Sequence, residues 1–215
     1  MKLVDQAAPG VSHNRPNSND ECGDATSSRF YEKSSKTLGM PPRNYRSGGK
    51  GETIRFALGE CSLGAFLIAS SAKGICALSI GDSPEKLVGE FQDRFANAEI
   101  IGGDQEYERR VGQVIRFLEA PGTSWNLPLD VRGTIFQIRV WQALQEIPAG
   151  RTLSYSELAT RIGSPKSARA VASACAANQI AVAIPCHRVV RGDGSLSEYR
   201  WGVERKRELL AREGE

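Results

Sequence analysis

The chain reads as an α+β protein, an antiparallel-sheet roll with helices followed by a mainly helical half that carries a candidate active-site segment. Three observations predict this. Three short runs within 54–80 have strand-like apolar patterning and are separated by turn residues. Two amphipathic helical stripes follow, and beyond Gly133 the apolar period stays helical as far as a Pro-Cys-His-Arg string at 185–188. With 215 residues, 40% of them apolar, the chain is long enough for one substantial core or two small ones.

Taken in order, residues 1–28 are rich in Asn, Ser, Gly and Asp without apolar period, and are expected to form a disordered leader or linker. Residues 29–48 carry a short helical pattern (Phe30, Tyr31, Leu38) broken by Gly39-Met40-Pro41-Pro42. Runs at 54–58, 64–70 and 75–80 predict an antiparallel meander, with Ala72-Lys73-Gly74 turning the last pair. Ser83-Pro84 opens a helix with Leu87, Val88, Phe91 and Phe95 on one face. A second helix after Gly102-Gly103 carries Val111, Val114, Ile115 and Leu118. Both are expected on one face of the sheet. The region 52–130 holds no cluster of catalytic residue types and reads as scaffold.

The region 131–215 is richer in chemistry. Residues 134–146 form a broad helical stripe that stops at Pro148-Ala149-Gly150. Ser154-Tyr155-Ser156-Glu157 has capping-box spacing, so a short helix should begin there and end near Gly163. Ser164-Pro165 then supplies an N-cap and first-turn proline for a helix to about Ala177. Two helices separated by about three residues predict a helix-turn-helix. The second helix has little bulk: Ala168, Ala170, Ala172, Ser173, Ala174, Ala176 and Ala177 are small, while Lys166 and Arg169 are charged. That composition suits either a tightly packed core helix or one pressed against a DNA groove.

Charge and cysteine usage narrow the field. Residues 132–215 hold 13 Lys/Arg against 8 Asp/Glu, a net +5, and residues 1–131 hold 15 against 17, a net −2. The C-terminal half is the better match for phosphates, although such an excess is common on proteins that bind no nucleic acid. No apolar run is long enough to span a bilayer and the polar start lacks a secretory signal, so a membrane location is not expected. Cys22, Cys61, Cys76, Cys175 and Cys186 form no C-x-x-C pair and read as reduced thiols. Cys186 stands beside His187, one of two histidines. A thiol next to an imidazole can lose its proton and become a soft nucleophile, but such neighbours are also found as buried structural residues.

The longer string is more specific. Pro185-Cys186-His187-Arg188, with Gly192-Asp193-Gly194-Ser195-Leu196-Ser197 and Tyr199-Arg200-Trp201-Gly202, resembles the active-site signature of the O6-methylguanine-DNA methyltransferases of the Ada type. The resemblance runs from about residue 54 to the C-terminus. It implies a ribonuclease H-like roll before the helix-turn-helix and a location in the bacterial cytoplasm, associated with the nucleoid when engaged on DNA. The implied reaction is irreversible, single-turnover transfer of an alkyl group to Cys186 from O6-methylguanine, and from O4-methylthymine, flipped out of duplex DNA. No cofactor and no metal are implied, and a monomer is expected.

The resemblance also assigns roles. His187 would be the base acting through a water, and Glu213, 27 residues after the cysteine, the carboxylate that orients it. Asn178 would be the hinge before the active-site strand, Tyr155 the donor to guanine N3, and Arg169 the side chain filling the gap left by the flipped nucleotide. Lys166, Ala168, Ala170, Ala172, Ser173 and Cys175 would lie along the minor groove. Pro185, Val189, Ser197, Glu198, Tyr199 and Arg200 would line the pocket, with backbone near Cys186 and Val189 reading the base.

Two departures from the Ada pattern stand out. Glu198 occupies the place of a glycine in Leu-Ser-Gly-Tyr, which adds a like charge beside the thiolate and removes a permissive backbone position. No four-cysteine zinc region is seen, and 29–48 resembles only the tail of an AraC-type helix-turn-helix, so the chain looks like the C-terminal part of an Ada-like protein. A non-catalytic binder of alkylated DNA is the alternative if Glu198 blocks the pocket. A transcription factor lacks a whole reading module, and a cysteine protease leaves the helix-turn-helix unexplained.

Overall fold

The computed structural model of the protein describes residues 48–214. The expected leader over 1–28 and nearly all of the expected remnant over 29–48 lie outside them, as does Cys22.

The first half is a four-stranded sheet: β1 (Thr53–Cys61), β2 (Gly64–Ser71), β3 (Gly74–Gly81) and β4 (Glu99–Gly102), in the order β3-β2-β1-β4. The first three form the expected meander, Gly59 facing Phe66 across β1 and β2 and Leu67 facing Ser79 across β2 and β3. The fourth, absent from the sequence reading, runs parallel to β1 with Ile54 opposite Ile100. The sheet is therefore mixed rather than purely antiparallel.

Helices also cover both faces rather than one. Helix α1 (Pro84–Arg94) is capped by Ser83 and packs Leu87, Phe91 and neighbouring Phe95 on Ala65, Leu67 and Ala69. Helix α2 (Gln105–Glu119) packs Tyr107, Val114 and Leu118 on the opposite face, against Phe66, Ile68 and Leu78. Alternate residues of β2 are thus buried on opposite sides, which is why this strand is a continuous apolar run.

The second half extends the α2-side core. Helix α3 (Ile135–Gln145) begins at a Thr134–Gln137 capping box and buries Val140, Trp141 and Leu144. The short strand β5 (Leu153–Ser154) leads into α4 (Tyr155–Arg161), where Glu157 accepts from the Ser154 amide at 2.6 Å and Ser154 Oγ accepts from the Glu157 amide at 3.2 Å. That is the capping box expected from the sequence.

Helix α5 (Ala168–Ala176) begins later than expected. Ser164-Pro165 starts a turn, Ser167 occupies the N-cap but its Oγ donates back to the Ser164 carbonyl at 2.6 Å instead of capping the helix, and the interhelical connection is twice the expected length. Lys166 therefore sits in the turn and not on the helix. The chain closes with β6 (Val189–Val190), parallel to β5, and α6 (Val203–Gly214).

The free edge of β3 is what aims the second half. The Leu78 amide donates to the Gln179 carbonyl at 2.9 Å, and the Ala181 amide donates to the Leu78 carbonyl at 2.8 Å. Pairing the edge with this segment satisfies its backbone and fixes the stretch leading to Cys186 on the sheet.

Candidate active site

Asn178, fully buried just past α5, staples the loop that follows. Its Nδ2 donates to the Ile184 carbonyl at 2.8 Å and reaches the Ile180 carbonyl and Cys186 Sγ at 3.3 Å each, while its Oδ1 accepts from the Ile180 amide at 2.9 Å. A single carboxamide thus closes an eight-residue loop and touches the thiol. Within that loop Val182 has φ 62°, a left-handed conformation unfavourable for a β-branched residue and unmatched by any other non-glycine among the described residues. Strain of this kind persists only where surrounding bonds hold it, as Asn178 does here.

Cys186 and His187 lie on a 3-10 turn, Cys186–Arg188, and not on the strand expected for them. The backbone curls after Pro185, so the two side chains are not forced to opposite faces as strand neighbours would be. His187 is fully buried. Its Nε2 lies 2.9 Å from Glu213 Oε1, and its Nδ1 has no hydrogen-bond partner among the described residues.

Glu213 also binds Arg188, accepting from Nε at 2.9 Å through Oε2 and from Nη2 at 2.7 Å through Oε1. Arg188 in turn donates to the Ile147 carbonyl. This second partner of the carboxylate was not anticipated, although Arg188 is part of the sequence string that marked the site. Helix α6 is held in place by Arg205, which donates to the Leu63 carbonyl at 2.7 Å, and by Arg212, which donates to Ser62 Oγ at 2.8 Å. Gly150, at φ 72°, lets another loop pass so close that a Cβ there would stand 2.9 Å from the Glu213 carbonyl oxygen.

Cys186 opens onto a cavity of about 390 Å³. Tyr155, Cys175, Ser197, Glu198, Tyr199 and Arg200 line it, and so do Ala172, Ala176 and Arg191. Pro185 and Val189, expected in the lining, are buried and are not among the residues that line it. The Val189 carbonyl is already engaged, accepting from Lys206 Nζ at 2.5 Å. Tyr155, at the first turn of α4, places its hydroxyl 2.6 Å from Ser197 Oγ, and Lys206 Nζ donates to that same oxygen at 2.7 Å. Sequence reasoning missed Lys206, which is only 1% exposed. Its spacing with Val203 and Leu209 puts it on the apolar stripe of α6, a legible signal.

Along α5 and the turn before it, Lys166, Arg169, Ala170 and Ser173 are exposed, while Ala168 and Ala172 are half-buried, and of these Ala172 reaches the cavity. Ser173 Oγ donates back to the Arg169 carbonyl at 3.1 Å. Glu198 is exposed at the rim and its backbone is not left-handed, so the position does not draw on the permissive backbone that a glycine would supply.

The electrostatics follow from burial. Desolvation pushes the Cys186 thiol up to about 11, only partly offset by the Asn178 bond and the Lys206 charge. Desolvation lowers the His187 imidazole, with Glu213 pulling the other way. Burial alone would raise Glu213, but its bonds to His187 and Arg188 outweigh it and hold the carboxyl below its usual range. At neutral pH the resting site therefore holds a neutral thiol, a neutral imidazole and a carboxylate. Burial also raises the Tyr155 phenol, so it too is neutral and able to donate.

Comparison with known proteins gives a consistent set of relatives. A family profile described as "6-O-methylguanine DNA methyltransferase, DNA binding domain" matches residues 135–215. The chain is 52% identical over 189 residues to the bifunctional transcriptional activator/DNA repair enzyme Ada of Escherichia coli K12, covering 88% of this chain and 53% of that protein. It is 38% identical over 146 residues to the inducible methylated-DNA-protein-cysteine methyltransferase of Bacillus subtilis 168, covering 67% and 82% respectively. Its fold is similar to the crystal structure of Mycobacterium tuberculosis OGT in complex with DNA, with TM-score 0.62, 33% identity and coverage of 75% and 92%. The chain spans about half the length of the two Ada proteins it matches, from Escherichia coli and Salmonella typhimurium.

Proposed function

The chain belongs to the O6-methylguanine-DNA methyltransferase family, and on that footing we propose that it repairs alkylated DNA by moving the alkyl group from O6 of guanine onto Cys186. The observation that carries this reading is the pairing of His187 Nε2 with Glu213 at 2.9 Å, which leaves Nδ1 of the residue next to Cys186 without a partner among the described residues. Bonding at Nε2 assigns the tautomer: Nε2 carries the proton toward the carboxylate and Nδ1 is basic.

A methyl group on O6 within a duplex is out of reach of a buried thiol, so the nucleotide leaves the stack and enters the cavity. The Cys186 proton passes, through a water, to His187 Nδ1. The sulfur forms a bond to the methyl carbon as the C–O6 bond breaks, and the electron pair departs with guanine. Glu213 stabilises the imidazolium that results. Tyr155 donates to guanine N3, relieving the developing charge. The thioether is a poor leaving group, so each molecule reacts once, and the reaction draws on no cofactor or metal.

Double-stranded DNA is the partner, and a single chain suffices because one nucleotide enters one site. Helices α4 and α5 act as a helix-turn-helix docked in the minor groove, where the small residues of α5 permit close approach. Arg169 is exposed on that helix and fills the gap in the stack. The 52–130 region, read as a ribonuclease H-like roll, serves as scaffold. O4-methylthymine is a second substrate, presenting the same alkyl-oxygen chemistry. The binding-only alternative is disfavoured because Glu198 sits at the rim and the cavity still reaches Cys186.

The test is transfer of labelled methyl from duplex DNA carrying O6-methylguanine. Incorporation should plateau at one methyl per protein molecule, and continued turnover or no incorporation contradicts the proposal.

A further inference from the structure

The mechanism above does not use Lys206. Its ammonium is buried on α6, and no carboxylate pairs with it among the described residues. Burying an unpaired charge is costly, and the group is held by two acceptors, the Val189 carbonyl and Ser197 Oγ.

Those bonds also bias the direction of the Ser197 hydroxyl. Lys206 occupies one lone pair of Ser197 Oγ and also bonds the Val189 carbonyl, an acceptor that the Ser197 hydroxyl itself reaches only at a long 3.5 Å. The short partner left for the serine proton is Tyr155 Oη at 2.6 Å. A tyrosine oxygen that accepts from Ser197 turns its own proton away, toward the cavity it lines.

Resting on the alkyl-transfer reading, we propose that Ser197 links Lys206 to Tyr155 in a proton relay that supplies guanine N3 as the alkyl group leaves. As the C–O6 bond breaks, Tyr155 Oη gives its proton to N3. Ser197 Oγ gives its proton to Tyr155, and Lys206 Nζ gives one to Ser197. Guanine leaves neutral, both hydroxyls are restored, and Lys206 ends as a neutral amine. Burial, the first cause lowering the lysine's affinity for its proton, favours that end state. Ser197 and Lys206 act through Tyr155 and are positioning residues.

The test compares wild type, Ser197→Ala and Lys206→Met on two duplexes, one carrying O6-methylguanine and one carrying O6-methyl-3-deazaguanine, which has no N3 acceptor. Single-turnover rates and DNA affinity are measured for each. On O6-methylguanine, with protein in saturating excess so that any change in affinity is removed from the rate, Ser197→Ala should be about 100-fold slower than wild type. On the 3-deaza duplex that ratio should collapse to near one, and Lys206→Met should follow the same pattern. An equal loss on both duplexes, or no loss on either, overturns the relay. Absence of transfer by wild type from O6-methylguanine overturns the alkyl-transfer reading itself, and the relay with it.

Discussion

Glu213 Oε1 lies 2.9 Å from His187 Nε2, and the same carboxylate clamps the Arg188 guanidinium through both of its oxygens. One acid thus orients the candidate base and neutralises a nearly buried cation, so the site and the attachment of α6 stand or fall together.

Glu213→Gln keeps the shape but removes the charge. Leaving Arg188 buried without its counter-ion costs about 3–5 kcal/mol. Thermal melting should therefore fall by roughly 6–20 °C. Alkyl transfer, measured below the new melting point, should slow as well, because the imidazolium loses its stabilising carboxylate.

The raised thiol makes a second prediction. With Cys186 at about 11, iodoacetamide labelling of that residue in the free protein, followed by peptide mapping, should rise about tenfold per pH unit between pH 7 and about 10, tracking the thiolate fraction. A labelling rate already flat at pH 7 would mean a preformed thiolate–imidazolium pair, contrary to the burial argument.

Acid should destabilise the protein in a defined window. His187 is held neutral, its folded value below the ordinary 6.5, so the unfolded chain binds the proton more readily. Stability is full above about pH 6.5 and declines as pH falls from there toward the lowered folded value. Glu213, also lowered, adds its loss below its ordinary 4.5. Denaturant midpoints between pH 8 and 4 check this, and His187→Gln should flatten the upper part of the fall.

Asn178→Ala removes the staple of the loop. Several buried backbone groups lose their partner, at about 1–3 kcal/mol each before relaxation, so unfolding free energy should drop by about 2–4 kcal/mol. Cys186 labelling should also slow at fixed pH, since the Nδ2 contact to sulfur lowers the thiol's affinity for its proton. Unchanged labelling would separate the staple from the chemistry.

Much of this was legible in the chain because local chemistry and final structure agree. Ser83-Pro84, Thr134 with Gln137, and Ser154 with Glu157 announce three helix starts by bonds made within one turn. The fourth strand was not legible: four residues, Glu99–Gly102, are too short to show alternation, and their parallel pairing with β1 depends on the crossover of α1. The left-handed Val182 was hidden for the opposite reason, since a β-branched residue argues against the conformation that Asn178 and the sheet edge impose on it.

At the site, the thiol and imidazole are neighbours in sequence, whereas Glu213 reaches them only through the docking of α6. Its assignment came through the family resemblance. Lys206 shows the limit of that route: the resemblance assigned it no role, and the signal that remained was a charge on an apolar helical stripe.

The most direct test of the account is intact mass after incubation with duplex DNA bearing O6-methylguanine, with Cys186→Ala alongside. A gain of one methyl group on wild type alone, mapped to the peptide holding Cys186 and not to that of Cys175, is the predicted result. An unchanged mass under conditions where the DNA is bound, or a methyl found on another residue, would contradict it.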